Sequence, residues 1–476
     1  MAVPVRYVCL SDLHLGSDRS LLTGVDADGR PGASDVLRAL VECCRSVTAA
    51  NFGVKPVLVL NGDIFELALA SDEVSATVFQ RFMELVMVPG DEVFEAVWYV
   101  PGNHDHHLWE TARETQFADF LARHDPALEI PHPWYTTRMM RENELHPVPS
   151  PLLTTLLRRA RATTGGPGDT VPGTGQMVSA SYPNLGLVRG DRAVVFHHGH
   201  YIEAAYKLLT NLNTSLFNAP PPADVSQLEE GNFAWIDFFW SALGRAGEPG
   251  ESVQYVYDHL RSPAARADLV DRLSHNLARV VRNRTSWNLL EDEAQAHLIG
   301  FVLGQLNSWA DTFGRRAYYG GTTAVKAHDR GLEEYVGQYV REQLERESAG
   351  RTPTEVTFVF GHTHHPLVRR GQTVKGFGEP LAVYNTGGWV HETAELEPQC
   401  GASMVLVDDE LNTVAIELYR EVRGLSTRYV RLEEATTPGQ HSPLFEHLQA
   451  VLADGPSPWR SLVSAIEDRL SEPVRY

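Results

Sequence analysis

Residues 5–14 read VRYVCLSDLH. The first six are mostly apolar and rich in valine, a run of the length of a buried strand, and it stops at Ser11-Asp12. An acid and an imidazole then follow two positions apart, so in extended backbone Asp12 and His14 project to one side. The same arrangement recurs four times. Pro56 to Leu60 ends at Asn61-Gly62-Asp63, and Ala96 to Val100 ends at Pro101-Gly102-Asn103-His104-Asp105. Arg192 to His197 ends at His198-Gly199-His200, and Val356 to Phe360 ends at Gly361-His362-Thr363-His364. Alone, each motif would be read as a turn. Together they place oxygen donors and imidazoles at five strand ends, a donor mixture that suits a pair of divalent transition metals.

Helical patterns separate the early strands. Ser34 is an N-cap candidate, followed by Val36, Leu37, Leu40, Val41, Cys44 and Val47 at helical spacing. A second helix is expected over Glu73 to Val88. Strands alternating with helices imply a parallel or mixed sheet with helices on its faces. In such sheets ligands collect beyond the carboxyl ends of the strands, where Asp12, Asp63 and Asn103 fall. Later strands are expected over Leu381 to Tyr384, near Ser403 to Val407 and over Thr413 to Leu418, with a helical tail from Ser442.

The core therefore reads as residues 1–200 and 351–425, interrupted by a Gly/Pro-rich loop near 163–175. Residues 201–350 form an insertion far longer than an ordinary connection, mainly helical in pattern and expected to cap the site. Residues 426–476 are a C-terminal helical extension. Within the insertion, Tyr201 to Phe217 reads as helix, and Leu332, Tyr335, Val336, Tyr339, Val340 and Leu344 mark its last helix. The apolar stretch Phe233 to Trp240 is read as a buried cap helix, ahead of a pocket wall or a contact surface. Lys207, Arg315, Arg316 and Lys326 are candidates for binding a substrate anion.

The 476 residues carry a net charge of −20, and no Lys/Arg block offers a strong nucleic-acid signal. Four cysteines, with no CxxC spacing, argue against a thiolate zinc site and for reduced, buried thiols. No apolar stretch is long enough to span a bilayer, and no secretory pattern opens the chain, so a cytoplasmic location is expected.

On these five motifs the chain resembles the calcineurin-like metallophosphoesterase superfamily. The likeness covers residues 1–125 and 190–420 but not the insertion. It implies an α/β (α+β) fold: a four-layer β-sandwich flanked by helices, here with a large helical cap. It also implies two divalent metal ions. One would be held by Asp12, His14 and His364, the other by Asn103, His198 and His362, with Asp63 bridging both. A shared carboxylate reduces repulsion between cations roughly 3.5–4 Å apart. The resemblance further implies that a metal-bridging hydroxide attacks phosphorus, with His104 as general acid or transition-state stabiliser and Asp105 orienting its ring.

His197 should face the opposite side of its strand from His198, while His200 is a candidate for reaching the site. His106, His107 and His365 read as surface or loop-packing residues. Asn385 to Trp389 is similar to a segment of bacterial branches of the superfamily and is expected to brace the His362/His364 loop.

The expected activity is hydrolysis of a phosphomonoester, phosphodiester or pyrophosphate bond in a small phosphorylated substrate. Ser11 to Gly16 and the Asn385 segment are similar to the UDP-2,3-diacylglucosamine hydrolase-like branch, which cleaves a pyrophosphate. The long insertion and the reading His198-Gly199-His200 depart from that branch. A nuclease of the same fold is a second reading, which the acidic composition disfavours. A non-catalytic metal-binding scaffold is a third. Mn, Fe or Zn suits the N/O donor set.

Overall fold

The computed structural model describes residues 3–26, 28–68, 70–140, 148–165, 177–217, 219–237, 241, 329–348, 350–391, 396–425, 430–436, 439–454 and 456–472. Three strands come first: β1 (Val5–Leu10), β2 (Thr23–Val25) and β3 (Pro31–Ala33). Helix α1 (Asp35–Ala49) then starts where Ser34 accepts a hydrogen bond from the Leu37 N–H, as the sequence predicts. β4 (Val57–Asn61), α2 (Asp72–Val86), β5 (Val97–Val100) and α3 (His106–Leu121) follow.

β6 (Val148–Pro149), α4 (Pro151–Gly165), β7 (Val178–Ala180), β8 (Asn184–Arg189) and β9 (Arg192–His197) complete the first half. The second half contains β10 (Glu355–Phe360), β11 (Leu367–Gln372), β12 (Leu381–Asn385), β13 (Gly401–Asp408), β14 (Thr413–Arg420) and β15 (Arg431–Glu433).

β2 and β3 pair as a separate antiparallel ribbon, and the other strands form two stacked mixed sheets. The larger has eight strands in the order β15-β14-β13-β1-β4-β5-β7-β6, and the smaller has five in the order β11-β12-β10-β9-β8. β1, β4, β5 and β7 run parallel, as do β9, β10 and β12. Strand alternation assigns the faces. Val8, Leu10, Leu58, Leu60, Met404 and Leu406 point to the layer of α1, α2 and the C-terminal helices. Cys9, Val59, Val194, Phe196, Val359 and Val405 fill the space between the sheets. Val195, Val356, Phe358 and Val383 point to the fourth layer. Both faces of each sheet are thus buried, which explains why the central strands read as continuous apolar runs.

The fourth layer is built by α6 (Val225–Ile236) and a helix over residues 329–347, whose middle turn Tyr335–Val340 is a π-helix. Leu332, Tyr335, Val336, Tyr339, Val340 and Leu344 are all buried there against the smaller sheet. Tyr201 to Phe217 is less regular than its apolar pattern predicts. Two 3₁₀ turns, His200–Ile202 and Ala204–Lys207, precede α5 (Leu208–Phe217).

Residues 166–175 of the Gly/Pro-rich stretch, residues 238–240 of the aromatic stretch, and Arg315, Arg316 and Lys326 lie outside the described residues. The C-terminal helices Pro443–Asp454 and Pro456–Ser471 pack into the α1 layer through Leu448, Trp459, Leu462 and Ile466. Among the described residues, no helix is long and apolar enough to cross a membrane.

Candidate metal centre

The loops after β1, β4, β5, β9 and β10 meet where the carboxyl ends of the parallel strands of the two sheets come together. Backbone hydrogen bonds tie them to one another. Asp12 N–H donates to Gly62 O at 2.9 Å, His14 N–H to Asp63 O at 2.9 Å, and Gly361 N–H to His198 O at 2.8 Å. Asn61 Nδ2 donates across the sheets to His197 O at 3.1 Å.

Five of the seven expected donors hold left-handed backbone: Asp12 (φ 51°), His14 (φ 43°), Asp63 (φ 51°), His362 (φ 68°) and His364 (φ 57°). That conformation is uncommon outside glycine, and it turns each side chain back toward the centre. The glycines between them leave room for this. A Cβ on Gly361 would lie 2.1 Å from Asp12 Oδ2, and one on Gly102 would lie 2.2 Å from Asp63 Oδ1.

The donors fall into two groups that share a border. Asp12, His14 and His364 form one, with His14 Nε2 3.3 Å from His364 Nε2 and His364 Nε2 3.4 Å from Asp12 Oδ1. Asp63, His198 and His362 form the other, with His198 Nε2 3.1 Å from Asp63 Oδ2 and 3.1 Å from Asn103 Oδ1. Asp63 Oδ2 also lies 3.9 Å from His14 Nε2, which puts it between the groups.

These residues fit cations. His198 Nδ1 lies 3.2 Å from the Asn61 carbonyl, which only accepts, so the proton sits on Nδ1 and Nε2 turns a lone pair toward Asp63 and Asn103. Asn103 Nδ2 is buried with no hydrogen-bond partner among the described residues, leaving the amide oxygen as its useful donor. Lone pairs facing lone pairs at about 3 Å repel unless a positive charge lies among them.

The carboxylates are held ionised despite burial. Burial raises Asp63, but when the imidazoles carry protons in place of a cation, the charges of His198 and His104 outweigh it and hold the group well below the ordinary range. Burial likewise raises Asp12, yet in that protonated state the adjoining His364 ring and the charge of His198 keep it low.

The His104 ring is oriented by Glu66, whose Oε1 lies 2.8 Å from His104 Nδ1. Asp105, expected in that role, instead accepts from Gly102 N–H at 2.7 Å and Ile64 N–H at 2.7 Å. The reason is geometric. Asp105 caps the turn that presents His104, so its carboxylate faces backbone donors, while Glu66 comes from the neighbouring loop. Glu66 Oε2 also holds His14 Nδ1 at 2.9 Å. The available signal was a lone acid inside the apolar run Ile64-Phe65-Glu66-Leu67-Ala68. Burial lowers the His104 ring, but the Glu66 and Asp63 charges outweigh it and raise the group to about 9.

Other candidates are placed differently. His197 is buried against Tyr335 and Phe358, facing away from His198 as the alternation predicts. His200 does not join the donor groups and lies 3.2 Å from Tyr182 OH. His106, read as a surface or loop-packing residue, is fully buried and pairs with Glu229 of α6 at 2.8 Å. Its partner is 123 positions away, so local sequence could not reveal it. His107 pairs with Asp237 at 3.1 Å, and His365 is half-buried. Lys207 is buried and pairs with Glu334 at 2.9 Å. Asn385 Nδ2 donates to Gly361 O at 3.1 Å and Thr363 Oγ1 at 2.7 Å, and Trp389 N–H donates to Asp12 O at 3.0 Å. That segment braces the His362/His364 loop.

A family model described as calcineurin-like phosphoesterase matches residues 5–273, more than half of the chain. The matched span ends before His362 and His364, which the fold carries into the same site. No curated protein and no solved structure matches.

Proposed function

Since the chain belongs to the calcineurin-like phosphoesterase family, we propose that it hydrolyses a phosphomonoester, phosphodiester or pyrophosphate bond in a small phosphorylated substrate, with two divalent cations. Asp12, His14 and His364 would hold one cation, and Asn103, His198 and His362 the other, with Asp63 shared. When bound, the cations would supply Lewis acidity at phosphorus and hydroxide at neutral pH.

The observation that carries this reading is the convergence on Asp63 of two donor groups, buried except for a partly exposed His364, with donor separations of 3.1 to 3.9 Å. The remaining chemistry falls to side chains of the chain itself. His104 commits Nδ1 to Glu66, so Nε2 is the atom that gives a proton to the departing oxygen. The backbone N–H of His104 donates to Asp63 Oδ1 at 2.8 Å, which fixes the spacing between proton donor and shared carboxylate. Asp105 holds the two loops in register through Gly102 and Ile64 and is a positioning residue.

Protein loaded with Mn²⁺ and assayed on p-nitrophenyl phosphate, bis-p-nitrophenyl phosphate and a nucleotide-sugar pyrophosphate tests the reading. Metal-dependent turnover of at least one substrate by protein carrying two ions per chain is expected. The pyrophosphate arm examines the UDP-2,3-diacylglucosamine hydrolase-like alternative. Two bound ions without turnover of any phosphoester would identify a scaffold and overturn the proposal.

A further inference from the structure

Glu203 stands at the start of the insertion, in the turn that follows His198-Gly199-His200. Ile202 N–H donates to Gly199 O at 3.0 Å and Glu203 N–H to His200 O at 3.0 Å, so the chain reverses tightly there. Gly199 makes this reversal possible. Its φ is +127°, and a Cβ on it would lie 2.8 Å from His362 Cβ. The turn therefore packs directly on the His362 loop. The Glu203 carboxylate is brought to 3.6 Å from His362 Nε2, at a side-chain exposure of only 5%.

That separation lies among those between the expected ligands, 3.1 Å for His198–Asp63, 3.4 Å for His364–Asp12 and 3.9 Å for His14–Asp63. Two donors each about 2.0–2.2 Å from one ion lie roughly 3–4 Å apart. Of the donors proposed for this cation, Asn103, His198 and His362 are neutral as ligands, and the charge of Asp63 is shared with the other ion. A buried carboxylate beside such a site is stabilised by a cation and adds to its affinity.

Resting on the dinuclear reading above, we infer that Glu203 is an additional ligand, supplied by the insertion, to the cation held by Asn103, His198 and His362. The insertion then contributes directly to the metal centre: each ion has one carboxylate of its own besides the shared Asp63, and this ion, with Asn103 as well, has the more oxygen-rich environment.

Manganese titration of metal-stripped protein, followed by metal analysis and thermal melts with and without Mn²⁺, tests the inference on wild type, Glu203→Gln and Glu203→Asp. Wild type is expected to bind two ions. Glu203→Gln should bind one of the two ions at least about tenfold less tightly than wild type and show a smaller metal-induced rise in Tm. Glu203→Asp should recover part of both losses. If wild type takes up two ions and Glu203→Gln binds both with unchanged affinity and an unchanged Tm rise, Glu203 is no ligand, while the dinuclear reading stands. If wild type binds fewer than two ions, both the inference and the reading beneath it fail.

Discussion

Glu66 Oε1 and His104 Nδ1 lie 2.8 Å apart, and the other oxygen of the same carboxylate lies 2.9 Å from His14 Nδ1. One buried acid thus orients both an expected metal ligand and the expected proton donor. Burial raises Glu66, but the His104 charge and the two imidazole hydrogen bonds bring it down to about 2.

His104→Ala should keep both ions and lose roughly 10²–10⁴-fold in turnover on substrates with poor leaving groups. The loss should be smaller with p-nitrophenolate, which departs without a proton. Glu66→Gln should lose less than His104→Ala but show the same leaving-group trend. Metal analysis beside turnover of a substrate series checks this, and an equal loss on all leaving groups would remove His104 as the acid.

Asp63→Asn keeps the side chain's shape and the acceptor for His104 N–H but removes the charge shared by the two groups. Metal content should fall below two ions per chain, and activity should fall with it. Full metal content in this variant, measured after dialysis, would show that Asp63 is not shared.

Gly62 holds φ +84°, and an added Cβ would lie 2.3 Å from His198 Nδ1. Gly62→Ala should cost more than about 1 kcal/mol of stability and push His198 off the Asn61 carbonyl. Denaturant melts check the first effect. A manganese titration checks the second, as weakened binding of one ion.

His106 and Glu229 form a fully buried pair, with Tyr182 OH also donating to Glu229 at 2.9 Å. Burial lowers the His106 ring, but the Glu229 charge and the nearby Asp237 carboxylate outweigh it and raise the group to about 10. A pKa raised above the unfolded value of about 6.5 gives stability that is complete below that pH and is lost as pH climbs toward 10. Unfolding free energy should therefore fall with pH in this window, by at most about 1.4 kcal/mol per pH unit from this group. Glu229→Ala should cost about 3–5 kcal/mol near neutrality by leaving a buried charge unpaired, and it should flatten the slope. Urea melts of both proteins at pH 7 and 9 check the difference.

The central strands, the Ser34 cap and the order of the donor motifs were legible in the chain because each depends on neighbours only a few positions away. A strand buried on both faces writes itself as a continuous apolar run, and its end is marked by the polar residues that follow. β8 and β11 were not legible. β8 carries a polar residue at each end and a glycine within it, and β11 is a largely exposed edge strand with two arginines and a glycine.

The partners of the histidines that follow β5 were settled only in three dimensions. Glu66 reaches His104 across 38 positions and Glu229 reaches His106 across 123, and neither pairing leaves a local signature. Which carboxylate meets which imidazole depends on where the loops end in space. The left-handed turns at Asp12, His14, Asp63, His362 and His364 aim those side chains inward, and only loops packed together by the two sheets hold such backbone in place.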